Sequence, residues 1–251
     1  MRQGWDEFRT AAAFLTIFPV GREMSMESTR LARSMGLFPA VGLVIGLLLV
    51  VLNWALAPLV PRGVLDTLLV LIMIVITGGL HLDGMADVID GLAGSREREG
   101  SLRIMKDSRV GAMGAVSLMM ILLLKYVCLH NVPSEVKPAA LLFMPAAGRW
   151  VQVVLACCAP YVRPEGGTGA VFVDHVGGRE FLVAGVTVTA AALILFHWQG
   201  AVLLLALGLA ALLLLRYFKR RLGGVTGDVL GAATELIEVL TLLAVIALYR
   251  S

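Results

Sequence analysis

Residues 64–91 read VLDTLLVLIMIVITGGLHLDGMADVIDG and decide the fold. The stretch begins as an apolar run long enough to cross a membrane, and it ends in a polar segment that carries Asp83, Asp87 and Asp90. If a helix continues through this segment, spacings of four and three residues place these carboxylates on one face. The stretch therefore predicts a transmembrane helix whose polar end carries the chemistry.

Three carboxylates on one helix face repel one another. A hard divalent cation would neutralise them, and Mg²⁺ held by a few carboxylates and by substrate phosphates is a common arrangement. We therefore expect Asp83, Asp87 and Asp90 to bind Mg²⁺, the alternative being a solvated acidic face at a helix end. Gly84 and Gly91 favour the metal site, because glycine weakens a helix and is better explained by close approach of a ligand or another helix.

The composition of the 251 residues is that of a polytopic membrane protein, since 59% are hydrophobic, 16% are charged and the mean hydropathy is +0.88. We expect one integral-membrane catalytic domain over residues 1–251, an all-α bundle of about seven transmembrane helices with an N-terminal interfacial helix. The spans are predicted at 37–60, 64–82, 110–130, 138–160, 181–197, 199–218 and 229–249. The fifth and sixth spans should form a tight hairpin, because their combined run is too long for one crossing.

Basic residues alternate between the loops along the chain. They are frequent before the first span, between the second and third, between the fourth and fifth, and between the sixth and seventh. Because Lys and Arg are retained on the cytoplasmic face, this predicts a cytoplasmic N-terminus and places the expected active-site loop, residues 83–109, in the cytoplasm. The net charge of +3 reflects these topological arginines, so no nucleic-acid partner is expected. A homo-oligomer stays open.

Residues 1–36 are predicted to be an interfacial segment rather than a cleavable signal, because Asp6 and Glu7 interrupt any basic region at the N-terminus. An amphipathic helix on the membrane, ended by Pro19 and Gly21, is one interpretation. A helix packed against the bundle is the other. The apolar face would consist of Trp5, Phe8, Ala12, Leu15, Ile17 and Phe18.

Charged residues inside the predicted spans need partners or a water-filled cavity, since each costs about 2.5–3.5 kcal/mol at mid-bilayer. Arg149 lies near the middle of the fourth span, and Glu235 and Glu238 lie in the seventh. They either form a buried ion pair or line a polar cavity in which Arg149 faces a phosphate. Lys125 and Asp66 are close enough to span ends to extend to the interface.

The loop before the third span adds cations to the aspartates. Arg103, Lys106 and Arg109 recur at three-residue spacing and would give a helix a cationic face suited to a diphosphate. Asp107 is a candidate to complete the metal shell or to act as a base. As an isolated pattern this is weak, because cytoplasmic loops are rich in Lys and Arg in any case.

A glycine-rich turn enters the seventh span from the same predicted side, at residues 223–228. Such a turn can offer backbone N–H groups to an anion. Capping of the following helix by Thr226 or Asp228 explains it about as well.

Taken together, these motifs resemble the cobalamin synthase family, also called adenosylcobinamide-GDP ribazoletransferase. The resemblance covers almost the whole chain, including its length and its multi-span hydropathy. It rests on HLDGMAD at 81–87 continuing to Asp90-Gly91, on MKDSRVG at 105–111, on Thr226-Gly227-Asp228 and, more weakly, on FLTIFP at 14–19.

The resemblance implies a multi-pass enzyme in the lipid bilayer of a bacterial or archaeal inner membrane. It would join adenosylcobinamide-GDP to α-ribazole or its 5′-phosphate and release GMP. Mg²⁺ on the three aspartates would bind the diphosphate, and Asp107 or an aspartate of the cluster would take the ribose proton. The residues that we expect to bind substrate are Arg103, Lys106, Arg109, Arg149, Thr226 and Asp228.

Two other functions fit parts of the sequence. A CDP-alcohol phosphotransferase of phospholipid synthesis also holds metal with an aspartate motif in a membrane bundle, but Asp87 stands where that motif has arginine. A cation or proton transporter would use Glu235, Glu238 and Arg149 as a relay, and it leaves the predicted cytoplasmic aspartates without a role.

Overall fold

A computed structural model describes residues 2–20, 28–163 and 165–250, and these are largely helical, with no strand longer than an isolated bridge. Its structure is that of an all-α, multi-pass membrane protein, as the composition predicts. The helices are α1 (Arg2–Leu15), α2 (Ser28–Ser34), α3 (Phe38–Leu56), α4 (Arg62–Thr77), α5 (Leu80–Gly94), α6 (Arg98–Ile104), α7 (Ala112–Asn131), α8 (Lys137–Cys158), α9 (Thr168–Val173), α10 (Gly178–Leu222) and α11 (Gly227–Tyr249).

By length and hydropathy, five helices in the described part of the chain can cross a membrane. The α4 and α5 pair adds a sixth if it counts as one broken span. The predicted number of seven crossings is therefore not confirmed. The first of the five, Arg30–Leu56, runs from α2 through the 3₁₀ turn Met35–Leu37 into α3. The others are Ala112–Asn131, Lys137–Cys158, Gly178–Leu222 and Gly227–Tyr249.

The long helix α10 turns back on itself at His197, where the backbone leaves helical geometry with φ 52° and ψ −129°. A straight helix of 45 residues would be about 67 Å long. Yet both ends of α10 lie beside the end of α8, because the Cys157 thiol donates to the Gly177 carbonyl and Lys219 donates to the Cys158 carbonyl. The two halves thus run antiparallel, which is the geometry of the predicted hairpin.

The second predicted span, 64–82, ends early. The first helix stops at Thr77, because Gly78 and Gly79 both adopt left-handed backbone angles, with φ 61° and 70°. The chain then starts α5 at Leu80, bent by 90° from α4. The expected continuous helix through the aspartates is therefore wrong. Since α5 runs across the direction of α4, we place it at the end of the bundle, outside the membrane-spanning segments.

The predicted active-site loop, residues 83–109, is mostly helical, because α5 continues to Gly94 and α6 follows almost at once. The guanidinium of Arg221, at the end of α10, donates to the Ser95 carbonyl and to the Ser101 hydroxyl. This region therefore lies beside the end of α10. We call this end of the molecule, formed by residues 77–111, 158–163, 165–178 and 222–228, the aspartate end.

Polar contacts at the opposite end join the loops that were predicted to share the other side. Arg62 donates to the Val132 carbonyl over 2.5 Å. Asp66 is fully buried and pairs with Lys137 and His130. The expected extension of Asp66 to the interface is therefore wrong, because partners from two other segments neutralise this carboxylate inside the protein.

The helix α8 is the centre of the bundle and packs against α3, α10 and α11. Its contact with α3 depends on glycine, because a Cβ atom at Gly42 would lie 2.5 Å from the Ala146 Cα, and one at Gly46 would lie 2.4 Å from the Leu142 carbonyl oxygen. Close backbone approach of this kind is a common way for membrane helices to gain packing contacts.

The N-terminal helix α1 packs against the bundle, which was one of the two interpretations of residues 1–36. One face packs on the bundle, with Ala11 and Leu15 completely buried. Trp5 is 62% exposed, and its contact with a membrane surface stays a prediction. The helix ends at Leu15, before the predicted stop at Pro19, and Gly21 lies outside the described residues.

Candidate active site at the aspartate end of the bundle

The aspartates reach the first turn of α11 because α5 and α11 approach closely. A Cβ atom at Gly84 would lie 2.7 Å from the Asp228 carbonyl oxygen, and one at Gly231 would lie 3.2 Å from the His81 Cα. Gly84 is thus explained by the approach of another helix, which was one of the two reasons expected for a glycine at this position. The packing brings Asp228 to the aspartates of α5.

Asp83, Asp87 and Asp228 form an acidic cluster at this contact. Asp83 is exposed and Asp87 is half-buried. Burial raises the pKa of Asp87 to about 7, and the negative charges of Asp228 and Asp83 act in the same direction. A cation bound at the cluster would relieve this repulsion.

Asp90 has a structural task instead. Its carboxylate accepts hydrogen bonds from the backbone N–H groups of Gly111 and Gly114, each over 2.7 Å, and so caps the N-terminus of α7. A Cβ atom at Gly114 would lie only 2.2 Å from an Asp90 carboxylate oxygen, so the glycine permits this contact.

Within the described residues, no group of three or more His, Cys, Asp and Glu side chains is arranged to hold a metal ion. A site preformed by Asp83, Asp87 and Asp90 is therefore absent from this part of the chain. Mg²⁺ commonly binds through one or two carboxylates, with waters and substrate phosphates completing the shell, and such a site needs fewer protein ligands. The Mg²⁺ site stays a prediction, and the donors that fit it are Asp83 and Asp87.

Arg163 is a site residue that the sequence did not single out, because it is one of several basic residues in the loops between the predicted spans. Its guanidinium forms an ion pair with Asp228 and donates to the Met105 carbonyl over 3.3 Å. Its Nε is buried and has no hydrogen-bond partner among the described residues. A parallel bridge between Tyr161 and Val225 holds the loop of Arg163 against the turn before α11.

The predicted cationic face of Arg103, Lys106 and Arg109 does not form. The helix α6 ends at Ile104, so only Arg103 is helical and the three side chains do not share one face. Lys106 pairs with Glu165 over 2.7 Å, outside the acidic cluster. The prediction from three-residue spacing was wrong because such spacing aligns side chains only within a helix, and α6 ends at Ile104.

Asp107 is an exposed partner of Arg109. The Arg109 side chain donates to both carboxylate oxygens of Asp107, with a shortest distance of 2.7 Å. These hydrogen bonds lower the pKa of Asp107 to about 2. A carboxylate with so low a pKa is a weak general base, which favours the acidic cluster for that role.

Thr226 caps α11. Its hydroxyl oxygen accepts from the Val229 backbone N–H over 3.2 Å, and the residue is completely buried. The capping alternative is therefore confirmed for Thr226, and its expected role in substrate binding stays a prediction. Asp228, two residues later, faces the pocket described below.

Arg149 belongs to a buried charge cluster rather than to the acidic cluster. It pairs with Glu238, and Lys125 pairs with Glu235 and Glu238 over 2.6 and 2.7 Å. All four residues are buried, and two cations balance two carboxylates. The ion-pair alternative is confirmed, and the phosphate contact of Arg149 stays a prediction. The expected extension of Lys125 to the interface is wrong.

A cavity of about 190 Å³ opens beside the acidic cluster. Asp83 and Asp228 line it. His81 and Gln152 line it as well, and the Gln152 amide nitrogen lies 2.8 Å from the His81 Nε2 and 2.7 Å from the Thr234 hydroxyl oxygen. The remaining wall includes the rings of Phe14, Phe38 and Phe172. The site therefore combines the carboxylates of the acidic cluster, the Arg163 guanidinium that pairs with Asp228, and an aromatic pocket.

Comparison with known proteins finds one family model and many relatives of the same name. A family model described as cobalamin-5-phosphate synthase matches residues 7–246. Proteins named adenosylcobinamide-GDP ribazoletransferase are 41% identical in Geotalea daltonii, over 95% of this chain and 96% of the relative, and 38% identical in Syntrophobacter fumaroxidans, over 98% and 100%. These matches do not support the phospholipid-enzyme and transporter alternatives. No solved structure matches the chain.

Proposed function

Because this chain belongs to the cobalamin-5-phosphate synthase family, we propose that it joins adenosylcobinamide-GDP to α-ribazole or its 5′-phosphate in cobalamin synthesis and releases GMP. A ribose hydroxyl oxygen forms a bond to the phosphorus that bears the cobinamide, and the bond from this phosphorus to the GMP oxygen breaks. The hydroxyl proton passes to a carboxylate. The observation that carries the proposal is the acidic cluster, in which Asp228 pairs with Arg163 and lines an aromatic pocket together with Asp83.

Arg163 is the cation proposed to contact the diphosphate. Asp228 and the Met105 carbonyl hold its guanidinium at the acidic cluster, while its Nε has no hydrogen-bond acceptor among the described residues. Guanidinium donors match phosphate oxygens in geometry as well as in charge. Arg163 is favoured for this role because it pairs with Asp228 of the acidic cluster, whereas Lys106 and Arg109 pair with Glu165 and Asp107.

Asp83 and Asp87 are proposed to hold Mg²⁺, with Asp90 occupied by the cap of α7. When bound, the ion would neutralise the diphosphate and stabilise negative charge on the leaving GMP. The crowding that raises the pKa of Asp87 supports a cation at this place. We assign the ribose proton to a carboxylate of the acidic cluster, because the pKa of Asp107 near 2 makes it a weak base.

The aspartate end is proposed to face the cytoplasm of a bacterial cell from its inner membrane. The support is the distribution of Lys and Arg, which are concentrated in the loops of this end. Both substrates are large and polar, so a site at the end of the bundle would meet them without crossing the hydrocarbon.

The test uses the full chain purified in detergent with Mg²⁺, and it measures GMP release. We expect release only when adenosylcobinamide-GDP and α-ribazole are both present. Release with CDP-alcohol lipid substrates, or no release with the two corrinoid-pathway substrates together, would contradict the proposal. Comparing α-ribazole with its 5′-phosphate in the same assay identifies the preferred form.

A further inference from the structure

Three phenylalanine rings from distant parts of the chain meet at the cavity beside the acidic cluster. Phe14 comes from α1, Phe38 from α3 and Phe172 from α9. The ring centres of Phe14 and Phe172 are 4.5 Å apart, and Phe38 lies 5.6 Å from Phe172 and 6.0 Å from Phe14. These separations are those of interacting aromatic rings. The three rings therefore pack against one another in the wall, with Phe38 and Phe172 almost fully buried and Phe14 half-buried.

The same cavity has a polar side that the reaction already requires. Asp83 and Asp228 line it together with the three rings. A molecule that places an aromatic ring against the phenylalanines therefore has its remaining part within reach of the acidic cluster. A nucleoside has this shape, because an aromatic base is joined directly to a ribose.

We propose that this pocket, formed by Phe14, Phe38 and Phe172, binds the aromatic base of the ribazole substrate and so directs its ribose hydroxyl to the acidic cluster. The inference rests on the proposed function. It assigns a role to the N-terminal segment, since α1 supplies Phe14 to the wall of the pocket.

Guanine, the other aromatic base in the reaction, fits this pocket less well. Its polar edge needs several hydrogen-bond partners, and burying unpaired polar groups is costly. The Gln152 amide nitrogen is already engaged by His81 and Thr234. A guanine that bonded to Asp83 or Asp228 would bring its base, rather than its diphosphate, to the carboxylates.

The experiment compares variants of α1 in the GMP-release assay with each substrate varied in turn. Phe14→Ala should raise the KM for α-ribazole about tenfold, as loss of an aromatic stacking partner does for nucleic-acid bases. The KM for adenosylcobinamide-GDP and the kcat should stay unchanged. Phe14→Tyr, which keeps the ring, should restore the wild-type KM. Phe8→Ala is the matched control, because Phe8 is a half-buried phenylalanine of the same helix that lines a different groove.

An unchanged KM for α-ribazole in Phe14→Ala would overturn the proposal, and a raised KM for adenosylcobinamide-GDP alone would assign the pocket to guanine. If the wild-type protein releases no GMP with both substrates, the proposed function is wrong, and the pocket needs a separate test. Equilibrium binding of α-ribazole to the wild-type protein and to Phe14→Ala then decides on the pocket. Equal binding by the two, or no binding, would overturn it.

Discussion

The carboxylate of Asp90 accepts a hydrogen bond from the backbone N–H of Gly114 over 2.7 Å. The contact ties α5 to the first turn of α7 and occupies one oxygen of Asp90, while Gly111 occupies the other. Within the aspartate motif, Asp90 thus differs in role from Asp83 and Asp87, although the sequence spacing treats the three alike.

Asp90→Asn should therefore lower the free energy of unfolding and leave the Mg²⁺ requirement of the activity nearly unchanged. The amide keeps one acceptor oxygen but loses the charge that favours a helix N-terminus, which should cost about 1–2 kcal/mol. Thermal unfolding in detergent and the Mg²⁺ concentration for half-maximal activity are the measurements. A large rise in the Mg²⁺ requirement at unchanged melting temperature would instead make Asp90 a metal ligand.

Asp83→Asn should reduce GMP release by at least about a hundredfold, because a metal ligand at a phosphate-handling site is lost. The melting temperature should hardly change, since Asp83 is exposed. EDTA should abolish wild-type activity, and Mg²⁺ should restore it. The matched control is Asp107→Asn, an exposed aspartate outside the cluster whose loss should be much smaller. Wild-type rates from Asp83→Asn would exclude the assignment.

Arg163→Lys tests the diphosphate contact, because lysine keeps the charge and loses the planar fork of donors. We expect the KM for adenosylcobinamide-GDP to rise about tenfold or more while the KM for α-ribazole stays constant. Arg221→Lys is a control of the same type at the aspartate end, where the guanidinium donates to the Ser95 carbonyl and the Ser101 hydroxyl. Equal KM values in wild type and Arg163→Lys would remove Arg163 from the diphosphate site.

Arg149→Ala should destabilise the protein by about 3–5 kcal/mol, because it leaves Glu238 buried without one of its cations. Adding Glu238→Gln restores the charge balance and should recover much of the loss. Thermal unfolding of the single and double variants measures this coupling. A well-folded single variant that binds adenosylcobinamide-GDP poorly would revive the phosphate role.

The orientation of the aspartate end is testable with single cysteines in a background without Cys128, Cys157 and Cys158. Ser108→Cys is exposed at the aspartate end, and Ser134→Cys is exposed at the opposite end. In right-side-out vesicles, an impermeant thiol reagent should label only Ser134→Cys. Labelling of Ser108→Cys from outside would invert the proposed topology.

Which features the sequence predicts depends on how local they are. Hydropathy predicts the membrane class because it sums over neighbouring residues, and the aspartate motif predicts the site because Asp83 and Asp87 are one helical turn apart. The prediction failed where a short local signal changed the path of the chain. Two consecutive left-handed glycines, Gly78 and Gly79, ended α4 five residues before the expected end of the span.

By itself, the sequence determined a multi-pass helical protein with an acidic site at one end of its bundle, because apolar length and motif spacing are properties of contiguous residues. Only the tertiary structure decided which groups complete that site. Arg163 meets Asp228 across 65 residues, and Lys125 meets Glu235 across 110. Such partners cannot be read along the chain, since helix packing, rather than sequence separation, brings opposite charges together.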